Sequence, residues 1–307
     1  MLLDLVLDYD CNLACDYCTI TPVMRERSLP TGAVVRQLRA ARDEGFSRVS
    51  FTGGEPTIRR DLLPLVREAR RLGYEDIKVQ SNGLLYAEGA NVDRLAEAGV
   101  TRWHVSIHTH RAEAYERMVR RAGTHALMER GLSRLVERGL DPVADQIVMR
   151  DTHPQLPAAV DWLADRGVRR SQLWLVSLTD GNAENVASLP PLRELLPSVR
   201  AAFDRADERA VDLRSLHLPH CLLGERKDRA IDPAAGGVRV VTPDAVLDLR
   251  DAKLTPRRYV AACEGCPERG VCPGVRPDYL ERYGDVEIAR ARGVEARVAG
   301  AVHLPVI

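Results

Sequence analysis

Seven cysteines give this 307-residue sequence its clearest potential for chemistry. Three fall close together near the start, three fall close together near the end, and one stands apart. They are Cys11, Cys15, Cys18, Cys263, Cys266, Cys272 and Cys221. An odd number cannot pair completely into disulfides within one chain, and grouped cysteines in an intracellular protein are typical of metal sites rather than of scattered core positions. The sequence therefore predicts two metal centres.

The first group has the spacing C-x3-C-x2-C and follows the first predicted strand. Three thiolates cannot complete the ligand set of a cubane iron–sulfur cluster, which takes four, so one iron would keep an open position. A catalytic zinc ion keeps an open position in the same way, and a zinc ion held by three thiolates is the alternative that this spacing leaves open.

Charge and hydropathy exclude several classes of protein. Lys and Arg number 44, Asp and Glu also number 44, and the basic excess typical of nucleic-acid binding is missing. No apolar run reaches the ~20 residues of a membrane span, and no signal-peptide pattern opens the chain. These observations predict a cytoplasmic protein that binds neither nucleic acid nor a membrane.

The elements that must position the cysteines alternate between strand and helix patterns over the first two thirds of the chain. Strands are predicted at residues 3–7, 49–51, 77–81, 103–108, 143–149 and 173–177. Helices are predicted at residues 32–44, 62–72, 91–98, 125–137, 156–166 and 192–206. Six strand–helix units imply an α/β fold with a parallel sheet that closes partly, as a (β/α)6 barrel with a wide lumen.

The pattern changes after residue 205. Residues 238–241 and 246–249 predict a hairpin around a turn, residues 277–292 predict a helix, and an apolar tail ends the sequence. The sequence therefore predicts two domains: a partial barrel over residues 1–205, and a small C-terminal module with its own cysteines over residues 206–307.

A second motif follows the second predicted strand as a tight turn: Gly53, Gly54, Glu55 and Pro56. Glycines let a backbone approach a ligand closely. Together with C-x3-C-x2-C after the first strand, and with Tyr17 as the aromatic residue before the last cysteine of that group, this turn resembles the signature of the radical S-adenosylmethionine (SAM) enzymes. The resemblance covers residues 1–205.

The resemblance implies a [4Fe–4S] cluster on Cys11, Cys15 and Cys18, with its open iron chelated by SAM. Reductive cleavage of SAM, fed by an external reductant of the flavodoxin or ferredoxin type, would give a 5′-deoxyadenosyl radical that abstracts a substrate hydrogen. It further implies that the turn formed by Gly53, Gly54, Glu55 and Pro56 contacts the SAM amino group. The three cysteines are therefore expected to be essential for SAM cleavage.

Polar residues alternate along the third and fourth predicted strands and predict a ligand-filled lumen. They are Lys78, Gln80, Asn82, His104, Ser106 and His108. Asn82 and Ser106 match positions that contact SAM in the family, and His108 lies at the carboxyl end of its strand, where such folds bind ligands. Mutual pairing of these side chains, such as Lys78 with Asp8, is the alternative.

The second cysteine group has the spacing C-x2-C-x5-C, and Cys221 supplies a fourth thiolate. A structural zinc ion is the alternative, although a zinc ribbon would have a second C-x2-C pair. The spacing resembles the auxiliary-cluster modules called SPASM and twitch, and implies one auxiliary [4Fe–4S] cluster on Cys221, Cys263, Cys266 and Cys272. Three plus four ligands use every cysteine, so none remains to donate a hydrogen atom to a product radical.

These features predict a radical SAM oxidoreductase with one auxiliary cluster. A substrate radical that gives its electron to a cluster would complete a net two-electron oxidation, of the dehydrogenation type, on a small biosynthetic metabolite. The chain begins at the first barrel strand, and so favours a small molecule over a peptide recognised through a leader-binding domain. A peptide (RiPP) maturase that forms a cross-link, a redox-neutral rearrangement, and a non-catalytic protein with structural zinc sites are the alternatives.

Overall fold

The computed structural model describes residues 1–253 and 258–293. Its strands are β1 (Leu2–Val6), β2 (Arg48–Thr52), β3 (Asp76–Ser81), β4 (Arg102–Ser106), β5 (Val143–Val148), β6 (Arg170–Leu175), β7 (Asp212–Leu216), β8 (Ala230–Ile231), β9 (Val238–Val241) and β10 (Val246–Asp248). Its α-helices are α1 (Thr31–Asp43), α2 (Leu62–Arg71), α3 (Gly89–Ala98), α4 (Ala112–Val119), α5 (Thr124–Glu137), α6 (Leu156–Asp165), α7 (Leu192–Glu208), α8 (His220–Leu223), α9 (Pro277–Tyr283) and α10 (Val286–Ala291).

All ten strands belong to one sheet in the order β10-β9-β1-β2-β3-β4-β5-β6-β7-β8. Neighbouring strands from β9 to β8 run parallel, and only β10 is antiparallel to β9. Because strands β1 to β6 alternate with helices, their connections are the crossovers that parallel strands need. The predicted α/β class and the partial (β/α)6 barrel are therefore confirmed.

Alternation along the strands separates the helix-covered core from the lumen. In β3, Ile77 and Val79 are buried against the helices, whereas Lys78 and Gln80 point to the other face and stay partly exposed. In β1, Leu3 and Leu5 are fully buried. Polar side chains therefore line the inner face of the barrel, as the sequence pattern predicts.

The largest differences from the predicted elements lie in the short ones. Helix α4 and strand β7 were not predicted, and the single helix predicted over residues 277–292 is two helices, α9 and α10, separated at Gly284. Gly284 has a φ of 64°, a left-handed conformation that ends a helix. The predicted hairpin is present as β9 and β10. The predicted apolar tail lies outside the described residues.

The sheet continues past residue 205, the boundary predicted between the two domains. Strands β7 and β8 extend one side of the barrel sheet, and β9 pairs with β1 on the other side, with Leu2 opposite Val238. The later part of the chain therefore contributes to both sides of the barrel, and the two-domain division stays a prediction. Among the described residues, no helix is long and apolar enough to span a bilayer.

Candidate active site

One cavity opens beside the carboxyl ends of β1 to β4 and brings the first cysteine group together. Most of the residues predicted for this site line it, and these are Cys11, Cys15, Cys18, Tyr17, Gly53, Gly54, Asn82, Ser106 and His108. They come from the loop after β1 and from the ends of three neighbouring strands. Residues far apart in sequence meet here because parallel strands end at the same edge.

Side chains from elsewhere in the chain fix the backbone of the cysteine loop. The guanidinium of Arg25 donates to the carbonyls of Cys11 and Leu13, at 3.2 and 2.8 Å. Arg121 donates to the carbonyl of Asn12 at 2.9 Å. These hydrogen bonds give partners to carbonyls that the loop would otherwise leave unpaired, and they hold the loop open toward the cavity.

The carbonyl end of α4 receives two further groups from the same loop. The N–H of Ala14 donates to Val119 and the N–H of Asp16 donates to Met118, at 3.4 and 2.9 Å. The last carbonyls of a helix lack partners within the helix, so the loop completes them. The short helix α4 is therefore part of the support for the cysteines.

The Gly53–Gly54 turn packs directly against the segment that leads from β1 to Cys11. Gly54 donates to the carbonyl of Asp8 at 2.9 Å, and a Cβ on Gly54 would lie 1.9 Å from the carbonyl oxygen of Asp10. Gly53 has a φ of 137°, and a Cβ there would lie 2.3 Å from the oxygen of Asp8. Both glycines are thus required by contact between two backbones, in addition to any role toward a ligand.

Glu55 and Pro56 are buried outside the cavity lining. The Glu55 carboxylate accepts hydrogen bonds from the N–H of Thr57, the hydroxyl of Ser81 and the N–H of Asn82, at 3.0, 2.8 and 2.7 Å. Burial raises the pKa of Glu55, although these donors oppose the rise. In this structure Glu55 ties the end of β2 to the end of β3, and its contact with SAM stays a prediction.

Tyr17 and His108 are joined across the cavity. The Tyr17 hydroxyl is hydrogen-bonded to Nε2 of His108, and the two rings meet edge to face with centroids 4.8 Å apart. The other ring nitrogen, Nδ1, accepts a hydrogen bond from the N–H of Ile147 at 3.2 Å. Tyr115 stacks on the imidazole with ring centroids 6.2 Å apart. His108 is therefore fixed on both nitrogens and faces Tyr17.

Burial affects two of the thiols in the first group strongly. It raises the pKa of Cys11 to about 11 and that of Cys15 to about 12. Thiols in this environment are protonated near neutral pH until a metal displaces the proton, and only the thiolate is a metal ligand. The site is therefore one in which metal binding releases protons.

Deeper in the barrel, two predicted lumen residues are paired with other side chains. His104 Nδ1 lies 3.0 Å from a carboxylate oxygen of Asp145, and Lys78 donates to Gln80 at 3.4 Å. Asp8, the partner considered for Lys78, instead forms an ion pair with Arg59 at 3.5 Å. Mutual pairing therefore accounts for His104 and Lys78, whereas the residues nearer the strand ends face the cavity.

A second cavity brings the four remaining cysteines together. Cys221 lies in α8, and Cys263, Cys266 and Cys272 lie on the segment before α9. Cys272 Sγ accepts hydrogen bonds from the N–H groups of His220 and Gly274, each at 3.4 Å.

The guanidinium of Arg292 donates to Cys266 Sγ at 2.8 Å. Burial raises the pKa of Cys221 to about 11, as it does for Cys11 in the first group.

The donor sets at both cavities fit iron–sulfur clusters. Three thiols surround the first cavity and four surround the second. Within residues 1–253 and 258–293, no three His, Cys, Asp or Glu side chains are grouped to hold a single metal ion. A cubane cluster makes a different demand, since each thiolate binds its own iron.

Sequence reasoning missed several residues of the first site. Tyr115 lines the cavity from α4, and its buried hydroxyl has no hydrogen-bond partner among the described residues. Ala114, Tyr115, Met118 and Val119 carry the helical spacing that identifies α4. Arg25 gives no comparable signal, because its contacts are with backbone carbonyls that no local pattern reveals.

Comparison with known proteins agrees with this arrangement. Residues 7–156 match the family model described as the radical SAM superfamily. Residues 7–156 are therefore a radical SAM domain, the kind of domain that binds a [4Fe–4S] cluster and SAM in radical SAM enzymes.

Among curated relatives, the chain is 37% identical over 157 residues to a probable GTP 3′,8-cyclase of Methanopyrus kandleri, covering 50% of each chain. It is 39% identical over 140 residues to the GTP 3′,8-cyclase of Pelotomaculum thermopropionicum, covering 43% of this chain and 42% of that one. The matches thus span about half the length of these relatives, or less.

Solved structures share the fold at lower identity. SuiB of Streptococcus suis bound to S-adenosylmethionine has a TM-score of 0.65 at 17% identity, covering 93% of this chain and 65% of that one. Native anSMEcpe with bound AdoMet has a TM-score of 0.67 at 15% identity, covering 95% and 97%. At such identities the likeness concerns the fold alone.

Proposed function

We propose that Cys11, Cys15 and Cys18 ligate the SAM-binding cluster and that the chain uses it to abstract a hydrogen atom from a substrate. The observation that carries the proposal is the convergence of the three thiols, the Gly53–Gly54 turn and Ser106 on one cavity. The bound cluster and SAM supply the 5′-deoxyadenosyl radical; the protein supplies the position and the shielding.

Apolar and aromatic side chains form the wall that shields this chemistry. Leu13, Ile20 and the rings of Tyr17 and Tyr115 line the cavity beside the thiols. A radical reacts with whatever hydrogen lies nearest, so a wall of this kind, which keeps water out, protects the intended reaction.

Polar groups nearer the barrel axis are suited to hold the substrate and the polar parts of SAM. Gln80, Asn82 and Ser106 line the same cavity from β3, the turn after it, and β4. Asn82 is already oriented, because its amide donates to Asn12 at 2.7 Å and its Oδ1 accepts from the N–H of Leu84 at 3.1 Å. A fixed amide recognises a ligand at little entropic cost.

The four-cysteine cavity is proposed to hold an auxiliary [4Fe–4S] cluster that is ligated entirely by protein. Such a cluster has no open iron for a substrate, so its role is to accept an electron. In the net oxidation of an alcohol, the substrate loses one hydrogen atom to the radical, then one electron to the auxiliary cluster and one proton to solvent. The product is a carbonyl compound.

The substrate is proposed to be a small biosynthetic metabolite. The curated relatives support a small molecule, because two of them are named GTP 3′,8-cyclases. Their names also favour a second candidate outcome, a redox-neutral ring closure in place of net oxidation. The likeness to SuiB, whose structure was solved with a precursor peptide, rests on the fold.

Anaerobic reconstitution followed by SAM cleavage tests the proposal. The wild-type protein is expected to hold about eight irons and to form 5′-deoxyadenosine with reductant. The variant with Cys11, Cys15 and Cys18 all replaced by Ala should lose about four irons and all 5′-deoxyadenosine, whereas Cys221→Ala should lower the iron and keep cleavage measurable. Cleavage by the triple variant, or a colourless zinc-loaded wild type, would refute the assignment.

A metabolite screen by mass spectrometry, with SAM and reductant, distinguishes the two outcomes. A product two mass units below its substrate supports oxidation, and a product of equal mass supports ring closure. A peptide as the only modified substrate would overturn the small-molecule proposal.

A further inference from the structure

Arg292 reaches the second cysteine cavity from the end of α10, and two contacts fix its guanidinium there. Nη1 donates to Cys266 Sγ at 2.8 Å, and Nε donates to the carbonyl of Ala262 at 3.2 Å. Because the guanidinium is planar, two bonds from different nitrogens set both its position and its direction. The charged group is therefore held on one particular cysteine sulfur.

Helix α10 is itself anchored to α7, so the fold sets the position of Arg292. Ile288 is fully buried in the core that α7 also joins. At the other end of α10, the Glu287 carboxylate accepts the N–H groups of Leu192 and Arg193, at 2.9 and 3.1 Å. These are the first N–H groups of α7, which lack partners within their own helix. The guanidinium is thus carried by a helix that is attached at its opposite end.

The other charged side chains that line this cavity have different partners. Glu268 is paired with Lys227, whose Nζ donates to it at 2.6 Å. Arg269 lies over the ring of Tyr259, with 5.3 Å between the guanidinium carbon and the ring centroid. Among the described residues that line the cavity, Arg292 is thus the only one that places a side-chain charge on a sulfur.

We propose that Arg292 is a positioning residue that holds a positive donor on the Cys266 thiolate and thereby raises the reduction potential of the cluster bound there. Reduction adds negative charge to a cluster and its ligand sulfurs, and a charged donor to one of those sulfurs stabilises that charge. The inference rests on the proposed function, in which Cys266 ligates the auxiliary cluster. It gives Arg292 a role that does not depend on contact with SAM or substrate.

This role agrees with the direction of electron flow in the proposed oxidation. The substrate radical loses one electron to the oxidised auxiliary cluster and one proton to solvent, and the cluster becomes reduced. A donor that stabilises the reduced cluster favours this transfer. An arginine keeps its charge throughout the pH range of enzyme assays, so the effect does not depend on pH.

Redox titration of the auxiliary cluster alone measures this role directly. The variant with Cys11, Cys15 and Cys18 replaced by Ala keeps only the second cysteine group, so its electron paramagnetic resonance signal reports that cluster. In this background Arg292→Gln removes the charge and keeps an amide donor, and the ratio of reduced to oxidised cluster at a fixed potential should fall about tenfold. That change corresponds to a midpoint about 59 mV lower for a one-electron couple.

Arg292→Lys separates the charge from the geometry. Lysine keeps a positive charge but lacks the planar fork that bonds to Cys266 and Ala262 together, so the ratio should fall by no more than about threefold. The shift caused by Arg292→Gln should also be the same at about pH 6.5 and about pH 8.5, because arginine does not titrate there. A larger shift in Arg292→Lys than in Arg292→Gln, or a shift present at only one pH, would contradict the proposal.

Arg269→Gln is the matched control. It removes a guanidinium that lines the same cavity but lies over the Tyr259 ring instead of donating to a sulfur. Its midpoint should stay within about twofold of the parent in the same ratio, because a charge near the surface is screened by solvent. An equal shift in Arg269→Gln would show that any nearby charge has this effect, and would overturn the proposal.

Iron content separates the two levels of inference. Arg292→Gln is expected to keep about four irons in the background without the first cysteine group. Loss of that iron would assign Arg292 to the folding of the site and overturn the proposal, as would an unshifted Arg292→Gln. A parent with no cluster on the second cysteine group refutes the proposed auxiliary cluster itself, whereas a cluster with unshifted variants refutes only this inference.

Discussion

The two cysteine sites use the same ligand type and are built in opposite ways. The first is assembled on the ends of parallel strands. Backbone hydrogen bonds, such as that from the N–H of Gly54 to the carbonyl of Asp8, connect its loop to the barrel. The second is assembled from the short helix α8 and an irregular segment that precedes α9. The sheet sets the geometry of a site that lies at its strand ends. A site on a loop instead needs separate contacts that attach the loop to the sheet.

That attachment is a buried ion pair. Arg276 and Asp278 are 4% and 6% exposed, and the guanidinium also donates to the carbonyls of Leu175 and Val176, each at 2.7 Å. Asp278 in turn accepts the N–H of Leu178 at 3.0 Å. The pair therefore fastens the segment between the second cysteine group and α9 to the end of β6.

Hydrogen bonds to sulfur differ between the sites as well. In the first, the donor is a neutral backbone group: the N–H of Leu13 donates to Cys11 Sγ at 3.4 Å. In the second, Cys266 receives the charged guanidinium of Arg292 at 2.8 Å. Since a positive donor favours the reduced state more strongly than a neutral one, a cluster at the second site would be the better electron acceptor of the two.

The largest expected effect separates the sites by function. Cys15→Ala should reduce 5′-deoxyadenosine formation to the level of a protein-free mixture, because it removes a ligand of the cluster proposed to bind SAM. Cys266→Ala, the matched change at the second site, should retain cleavage. Chromatographic measurement of 5′-deoxyadenosine checks both, and equal loss in the two variants would contradict separate roles.

Next in size is the loss of the ion pair that anchors the second site. Asp278→Asn leaves Arg276 buried without its carboxylate, and we expect the free energy of unfolding to fall by about 3–5 kcal/mol. Urea denaturation measures the change, and iron analysis should show loss from the second site first. Asp248→Asn is the control, since Asp248 pairs with the exposed Arg250 and its replacement should leave the free energy of unfolding nearly unchanged.

A change at the first site should lower the free energy of unfolding by less, and iron should be lost from the first site instead of the second. Gly54→Ala places a methyl group 1.9 Å from the backbone oxygen of Asp10, and we expect a loss of at least about 2 kcal/mol with iron lost from the first site. Gly32→Ala, in the first turn of α1 with only the end of Arg36 nearby at 3.6 Å, is the control. A Gly54→Ala protein with normal iron content and stability would show that the turn accommodates the methyl group, and would contradict this prediction.

The smallest effect is the pH dependence of the anchor. Burial alone would raise the pKa of Asp278, but the hydrogen bonds and charge of Arg276 outweigh it and hold the pKa below 3.8. The pair therefore stabilises the fold fully above the unfolded pKa, and this stability is lost as the pH falls through the lower folded value. The difference in unfolding free energy between wild type and Asp278→Asn should be constant near pH 6 and shrink below about pH 4; a constant difference down to pH 3 would contradict it.

Local patterns were sufficient for much of the fold. Alternation in residues 77–81 predicted the position of β3 closely, because alternation depends only on neighbours in sequence. Grouping of the cysteines at two sites also followed from their spacing in the sequence, and the first group lies where the carboxyl ends of parallel strands meet at one edge.

What could not be predicted depends on contacts distant in sequence. The inward turn of Glu55 toward Ser81 and Asn82 is set by donors on another strand, and the support of the cysteine loop by Arg25 involves carbonyls that every residue possesses. The hairpin of β9 and β10 was predicted, but its place beside β1 was not, because local alternation carries no information about which strand becomes the neighbour.

The pairing of Leu2 with Val238 also has a consequence in time. During synthesis the first strand leaves the ribosome long before its second neighbour exists, so one edge of β1 stays uncovered while most of the chain is being made. The first cysteines emerge just as early, beside that unfinished edge. Closure of the sheet is thus a late event, and a nascent chain shorter than about 240 residues should be the state most prone to aggregate.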